Sequence, residues 1–179
     1  MNSQLLFTAL VLAVGVERLA ELTLSKRHAS WSFSRGGKEF GRGHFPVMVM
    51  LHTALLVGAV AEVWLLNRPF LPILGWSALA IVIASQSLRW WCIASLGRQW
   101  NTRVIVVPGL PLVTRGPYRV LRHPNYVAVV LEGLALPLVH SAWITALGFT
   151  FLNAALLARR IQVEEEALAT VAGKEAALR

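Results

Sequence analysis

The sequence predicts an all-α integral membrane protein of about five transmembrane helices, and three observations carry that prediction. Of 179 residues, 56% are hydrophobic and 15% charged, where an ordinary soluble chain has roughly a quarter charged; the mean hydropathy is +0.58. The apolar residues are clumped into runs long enough for a hydrocarbon core, which takes about 20 helical residues. The 17 Lys and Arg, set against nine Glu and no Asp, gather in the connections between those runs.

A formal charge of +8 would also suit a nucleic-acid partner, but no motif of that class accompanies it. Basic residues confined to connections are what the positive-inside rule produces, with attraction to anionic headgroups as a consequence. The single cysteine, Cys92, excludes an internal disulfide and a cysteine-rich metal site. Inside an apolar run it is expected to pack as a small hydrophobe rather than act as a thiol nucleophile.

The first run, residues 5–24, lacks a basic leader and a small-residue cleavage site, so it is a retained helix. Glu17 and Glu21, spaced i,i+4 around Arg18, share one face. Charges there belong near the cytoplasmic end, either contacting other helices or the site, or lying at the interface. Residues 25–44, rich in Lys, Arg, Gly and Ser with Trp31 and Phe33 interleaved, are expected to form a flexible loop. That loop is either anchored by its aromatics at the headgroups or a lid over the site.

The second run, 45–66, holds His52 and Glu62; a lone histidine on an apolar helix is expected to be hydrogen-bonded internally rather than to be a ligand. Asn67-Arg68-Pro69 makes a turn. The third run, 70–96, ends near Arg89-Trp90-Trp91, an interfacial anchor unless Arg89 reaches into the site. Residues 97–125 leave the membrane, with Val104-Ile105-Val106-Val107 bounded by Pro and Gly as a short strand. Two shorter apolar runs, 126–138 and 142–158, flank Pro137 and His140 and predict a helical hairpin that does not fully span.

Lys and Arg number five in 25–44, one at Arg68, five in 97–125, none near His140 and four after 158. That alternation predicts an N-terminus outside, a C-terminus inside and five helices between. The chain is expected to be one domain, 1–179, with N-terminal helices 1–96 and a cofactor-binding core 97–179. A cytoplasmic pocket is expected between the 97–125 connection and the C-terminal helix.

Two polar stretches sit against apolar helices: residues 116–126 and residues 159–166. Pro124 suits the first turn of a helix because no donor is lost there. The free N–H groups and positive dipole of that helix start favour a carboxylate. Tyr118 and Tyr126 offer aromatic faces to a cation; Glu164, Glu165 and Glu166 offer acceptors to an amino group or ribose hydroxyls. Together these suit a zwitterion with a cationic centre, as in S-adenosylmethionine, although the residue types equally suit phosphorylated ligands, and the Glu run equally suits a solvated helix face.

Gly116-Pro117-Tyr118, then Arg122-His123-Pro124-Asn125-Tyr126, then Arg160 with Glu164-Glu165 and Leu168, resemble the isoprenylcysteine carboxyl methyltransferase family. The spacing between them, with a helical hairpin in the interval, is similar too. The likeness covers residues 85–170; the N-terminal third is matched only by hydropathy. Arg-His-Pro-x-Tyr alone also occurs in phosphatidylethanolamine methyltransferases and in sterol reductases.

The resemblance implies a membrane methyltransferase using S-adenosylmethionine, with the cofactor against Gly116, Pro117, Tyr118, Arg122, His123, Pro124, Tyr126, Glu164 and Glu165. Its methyl group would face a lipid-facing tunnel, with Arg160 near the transfer site orienting the acceptor or the carboxylates. Leu88-Arg89-Trp90-Trp91, Leu96-Gly97, Trp100-Asn101-Thr102-Arg103, Asn125, Glu132 and Asn153-Ala154 are similar to a bacterial branch resembling methyltransferases of alkylresorcinols and alkylpyrones. This implies a bacterial plasma membrane, a lipophilic acceptor and no metal.

A phenol (pKa about 10) must lose its proton before methylation, whereas a carboxylate is already ionised. Glu132, buried in an apolar helix, is a candidate base, or else the intramembrane partner of Arg89; His123 is a second candidate base. The alternatives are methylation of a prenylated cysteine's terminal carboxylate, an NADPH-dependent sterol-type reductase, for which the chain is short, and a scaffold without activity.

Overall fold

The computed structural model describes residues 2–177. Five helices follow one another: α1 Asn2–Phe33, α2 His44–Leu65, α3 Pro72–Leu96, α4 Pro124–Leu138 and α5 Trp143–Ala177. Three of them, α2, α3 and α5, are long and apolar enough to cross a membrane. The expected five helices are present, and the other two fall short of that measure. α1 has the length but carries Glu17, Arg18 and Glu21 midway. α4 has the hydropathy but only 15 residues, about 22 Å of helix against a hydrocarbon core of about 30 Å.

The polar segment after residue 24 is not a loop throughout. α1 continues to Phe33, burying Ser25, Ala29 and Ser32 at helical spacing, so small polar residues extend the helix out of the apolar zone. Gly36, at φ +76°, reverses the chain, and the Gly37 amide bonds the Ser32 carbonyl at 2.9 Å. A left-handed glycine closing the last turn is a common helix stop.

The strand expected near 104–107 is present as β2, Val104–Val106, and its partner is β1, Lys38–Phe40, antiparallel with Glu39 opposite Ile105. An all-α description therefore needs this ribbon added. It ties the segment after α1 to the connection after α3.

α5 does not end near residue 158. No Gly or Pro occurs between Gly148 and Gly173, so the charged stretch continues the apolar helix, for 35 residues in all.

Phe7, Val11 and Val14 of α1 meet Ala59 and Val63 of α2, Ala78 and Val82 of α3, and Ala135 and Leu136 of α4. Small residues bring the backbones close, as lipid-embedded packing favours. A methyl group on Gly133 would lie 2.0 Å from the Phe149 ring. Large apolar residues such as Leu65, Ile73 and Phe151 lie exposed on the outside, where lipid replaces water. The basic connections meet at one end of the bundle, through the β1–β2 ribbon and the contact of His123 with Glu165. Arg68 lies at the other end, beside the start of α5.

Candidate active site

The start of α4 is set in place by the turn before it. Gly116, at φ +59°, lies so close to α3 that an added Cβ would be 2.1 Å from Ser95 Oγ. Arg115 Nε donates to the Ser95 carbonyl at 3.0 Å, and Pro117 is buried. Gly116 and Pro117 thus act here as a docking turn. Tyr118 follows beside Cys92; burial, then the neighbouring Cys92, push its phenol well above its ordinary pKa, and Glu164 and Tyr126 lie close enough to add to the shift.

His123 precedes the first helical residue, Pro124, and its carbonyl accepts from the Tyr126 amide at 3.1 Å. The His123 ring stacks on Tyr126, with centroids 5.4 Å apart and planes 21° from parallel. From α5, Arg160 and Glu164 share a face at i,i+4 and both reach Tyr126. The phenol donates to Glu164 Oε2 and accepts from Arg160 Nε at 3.0 Å. Arg160 is itself buried. Its Nη2 donates to the Thr102 carbonyl at 2.6 Å and its Nη1 to Met48 Sδ at 3.0 Å. His123 Nε2 lies 3.5 Å from Glu165 Oε1.

Of the predicted residues, His123, Pro124, Tyr126, Arg160, Glu164 and Glu165 therefore come together, with Tyr118 beside them. Arg122 is exposed and has no ion pair among the described residues.

Beneath this cluster lies a cavity of about 240 Å³. Its mouth is formed by Tyr126, Asn125, Arg160 and Thr102, and its body by leucines and valines of α1, α2, α4 and α5. Six polar atoms of its lining residues are buried without a hydrogen-bond partner among the described residues: Asn125 Oδ1, Trp100 Nε1, Asn101 Nδ2, Arg18 Nε, Glu21 Oε1 and Arg89 Nε, the last two facing each other at 3.7 Å. Buried polar atoms ordinarily have partners, so outside the charged Arg18–Glu21–Arg89 group an acceptor on Asn125 and donors on Trp100 and Asn101 are open to a ligand. With two carboxylates that keep unused acceptor positions, stacked aromatic rings and a helix start, the donor set fits a zwitterionic nucleoside such as S-adenosylmethionine.

The floor of the cavity is charged. Arg18 and Glu21 of α1 and Arg89 of α3 line it. Arg18 Nη1 donates to Glu21 at 2.7 Å and Nη2 to Gln86 at 2.7 Å, while Trp90 and Gln86 donate to Glu17. Arg89 Nη2 donates to Glu132, whose same oxygen lies 3.6 Å from Arg18. Glu132 is thus the intramembrane partner of Arg89 that the sequence left open, and it is not among the residues lining the cavity. Met48 and His52 had no site role in the sequence, whereas contact with the site was one of the two readings of Glu17, Arg18, Glu21 and Arg89. The signal for the floor was the presence of Glu17, Arg18, Glu21 and Arg89 inside apolar runs.

The chain matches the model of the isoprenylcysteine carboxyl methyltransferase family over residues 78–170. It is 39% identical over 164 residues to an uncharacterized protein of Bacillus subtilis, YpbQ, covering 91% of this chain and 96% of that one. An uncharacterized protein of Haemophilus influenzae is 27% identical over 163 residues, covering 89% of this chain and 91% of its own.

Proposed function

This chain belongs to the isoprenylcysteine carboxyl methyltransferase family, and from that premise we propose that it is an S-adenosylmethionine-dependent O-methyltransferase of a hydrophobic acceptor dissolved in the membrane. The observation that carries the proposal is the joining of Tyr126, Arg160 and Glu164 at the polar mouth of an otherwise apolar cavity. When bound, the cofactor supplies an electrophilic methyl group on a sulfonium. Glu164 and Glu165 hold its ammonium or ribose hydroxyls; the His123–Tyr126 stack and Tyr118 present ring faces to its cationic portion. The start of α4, at Pro124, and the exposed Arg122 offer positive charge to its carboxylate. Gly116 and Pro117 shape the approach.

Arg160, which lines the cavity beside Tyr126, would orient the acceptor's oxygen toward the methyl group. Its guanidinium favours the anionic form of that oxygen, and the surrounding apolar wall receives the acceptor's hydrocarbon chain. Since little else is demanded of the protein, catalysis is mostly orientation and exclusion of water. Long-chain alkylresorcinols and alkylpyrones fit this shape. A prenylated cysteine carboxylate is the second reading, favoured by the same guanidinium. The basic end of the bundle is placed on the cytoplasmic side by the positive-inside rule, with the N-terminus outside, in a bacterial plasma membrane.

Calorimetric titration of the detergent-purified protein with S-adenosylhomocysteine tests the cofactor assignment. Saturable binding, lost in Tyr126→Ala and Glu165→Ala, is expected. A folded protein that binds none of it would remove the methyltransferase assignment. Turnover of resorcinol, pyrone and prenylcysteine acceptors then separates the two acceptor classes.

A further inference from the structure

We propose that His52 is the general base that takes the proton of a hydroxyl acceptor, so that the site methylates phenols or enols. The inference rests on the methyltransferase assignment and deepens it. His52 lines the same cavity as Tyr126 and Arg160. It stands one helical turn, about 6 Å, deeper along α2 than Met48, whose sulfur receives Arg160 Nη1. An acceptor oxygen beneath Arg160 therefore lies toward the imidazole.

The protonation pattern of the ring follows from its one hydrogen bond. His52 Nδ1 is 2.9 Å from the Met48 carbonyl, and a carbonyl only accepts, so the hydrogen is on Nδ1. In the neutral ring Nε2 then carries the lone pair, and it has no hydrogen-bond partner among the described residues. Phe149, edge-on at 5.2 Å and 84°, holds the ring plane. A neutral imidazole, tied at one nitrogen and open at the other, is the arrangement of a base.

The two bases suggested by the sequence are engaged elsewhere. The Oε2 of Glu132 is held by Arg89 and Arg18. His123 is stacked on Tyr126 beside Glu165 and does not line the cavity.

In the transfer, the acceptor O–H proton passes to His52 Nε2 as the acceptor oxygen attacks the methyl carbon. The O–CH₃ bond forms, the S–CH₃ bond breaks and its electron pair stays on sulfur as S-adenosylhomocysteine. The imidazolium later gives its proton to water. The groups facing His52 are Arg18 and Glu21 from α1, Arg89 from α3, Tyr126 and Glu132 from α4, and Arg160 from α5.

The test uses the whole protein in nanodiscs with S-adenosylmethionine and two acceptors. One is a long-chain alkylresorcinol; the other is the same lipid fluorinated until the phenol is ionised at assay pH. His52→Asn, which keeps a donor for the Met48 carbonyl, is expected to lose about 100-fold in kcat on the first acceptor and less than about threefold on the second. The wild-type rate on the first acceptor should rise with pH through the imidazole range. The variant's rate should instead follow the phenol's own ionisation. As a readout without turnover, the ¹⁵N resonance of the unprotonated Nε2, identified as the one retained when His28, His44, His123 and His140 are each replaced by Asn, should shift when resorcinol is added to protein loaded with S-adenosylhomocysteine.

Equal losses on both acceptors, or an unchanged rate and pH profile in the variant, would overturn the role of His52. So would an Nε2 resonance unmoved by the phenol, which decides the matter even if the variant does not fold. Turnover of a prenylcysteine carboxylate alone would overturn it too. Wild-type protein that binds no S-adenosylhomocysteine would fail earlier, at the methyltransferase assignment.

Discussion

Two carboxylates at opposite ends of the bundle, Glu62 and Glu164, show how burial and satisfaction separate a structural site from a functional one. Glu62 is buried and fully engaged. It accepts from the Ile144 amide at 3.1 Å, the Thr145 amide at 2.7 Å and the Thr145 hydroxyl at 2.8 Å, while Arg68 reaches it at 2.8 Å and 3.0 Å. It caps the first turn of α5 from another helix and leaves no room for a ligand. Among the described residues, Glu164 receives one donor, the Tyr126 phenol, and Glu165 beside it is exposed and meets only His123. Carboxylates with spare lone pairs, joined through Tyr126 to the mouth of a cavity, are those a ligand can use.

The largest expected effect breaks the saturated end. Glu62→Ala strands Arg68 and uncaps α5, and should cost about 3–5 kcal/mol of stability. Thermal unfolding in detergent would show it, while the folded fraction still binds S-adenosylhomocysteine normally. Arg160→Ala should do the opposite, lowering kcat about 100-fold, or about 2.7 kcal/mol of transition-state stabilisation, with cofactor-product affinity within tenfold of wild type by calorimetry. Glu164→Gln keeps an acceptor for Tyr126 and removes the charge, so S-adenosylhomocysteine should bind about tenfold more weakly, at the rate of about 1.4 kcal/mol per decade. Smallest is Glu166→Ala. Its side chain is exposed and has no ion pair among the described residues, so affinity should change by less than about twofold; a tenfold loss would mean that the whole acidic run, rather than Glu164 and Glu165, binds the ligand.

Much of the site was legible in the sequence because its parts are local. Arg122-His123-Pro124-Asn125-Tyr126 is a helix start, and Arg160 with Glu164 is one face of a helix, so each half announces its geometry. The apolar runs at 45–66 and 70–96 became α2 and α3 within a residue or two. The polarity of residues 25–33 was misleading. It suggested a loop, yet Ser25 accepts from the Thr102 amide at 3.0 Å and His28 bonds the Trp100 carbonyl at 2.9 Å, contacts that hold those residues in the last turns of α1. The apolar run 142–158 covers only the first part of α5, since a change from apolar to charged residues marks where a helix leaves lipid, not where it stops.

By itself, then, the sequence determined that the chain is membrane-embedded, where its helices begin, which family it belongs to and which residues face one another across the α4–α5 hairpin. These follow from hydropathy, caps and short-range spacing. Only the tertiary structure decided that Lys38–Phe40 pairs with Val104–Val106, that Glu132 serves Arg89 and Arg18, and that His52 shares a cavity with Arg160. A charge or imidazole inside an apolar run must find its partner across the bundle, tens of residues away, and no local pattern says which helix will supply it.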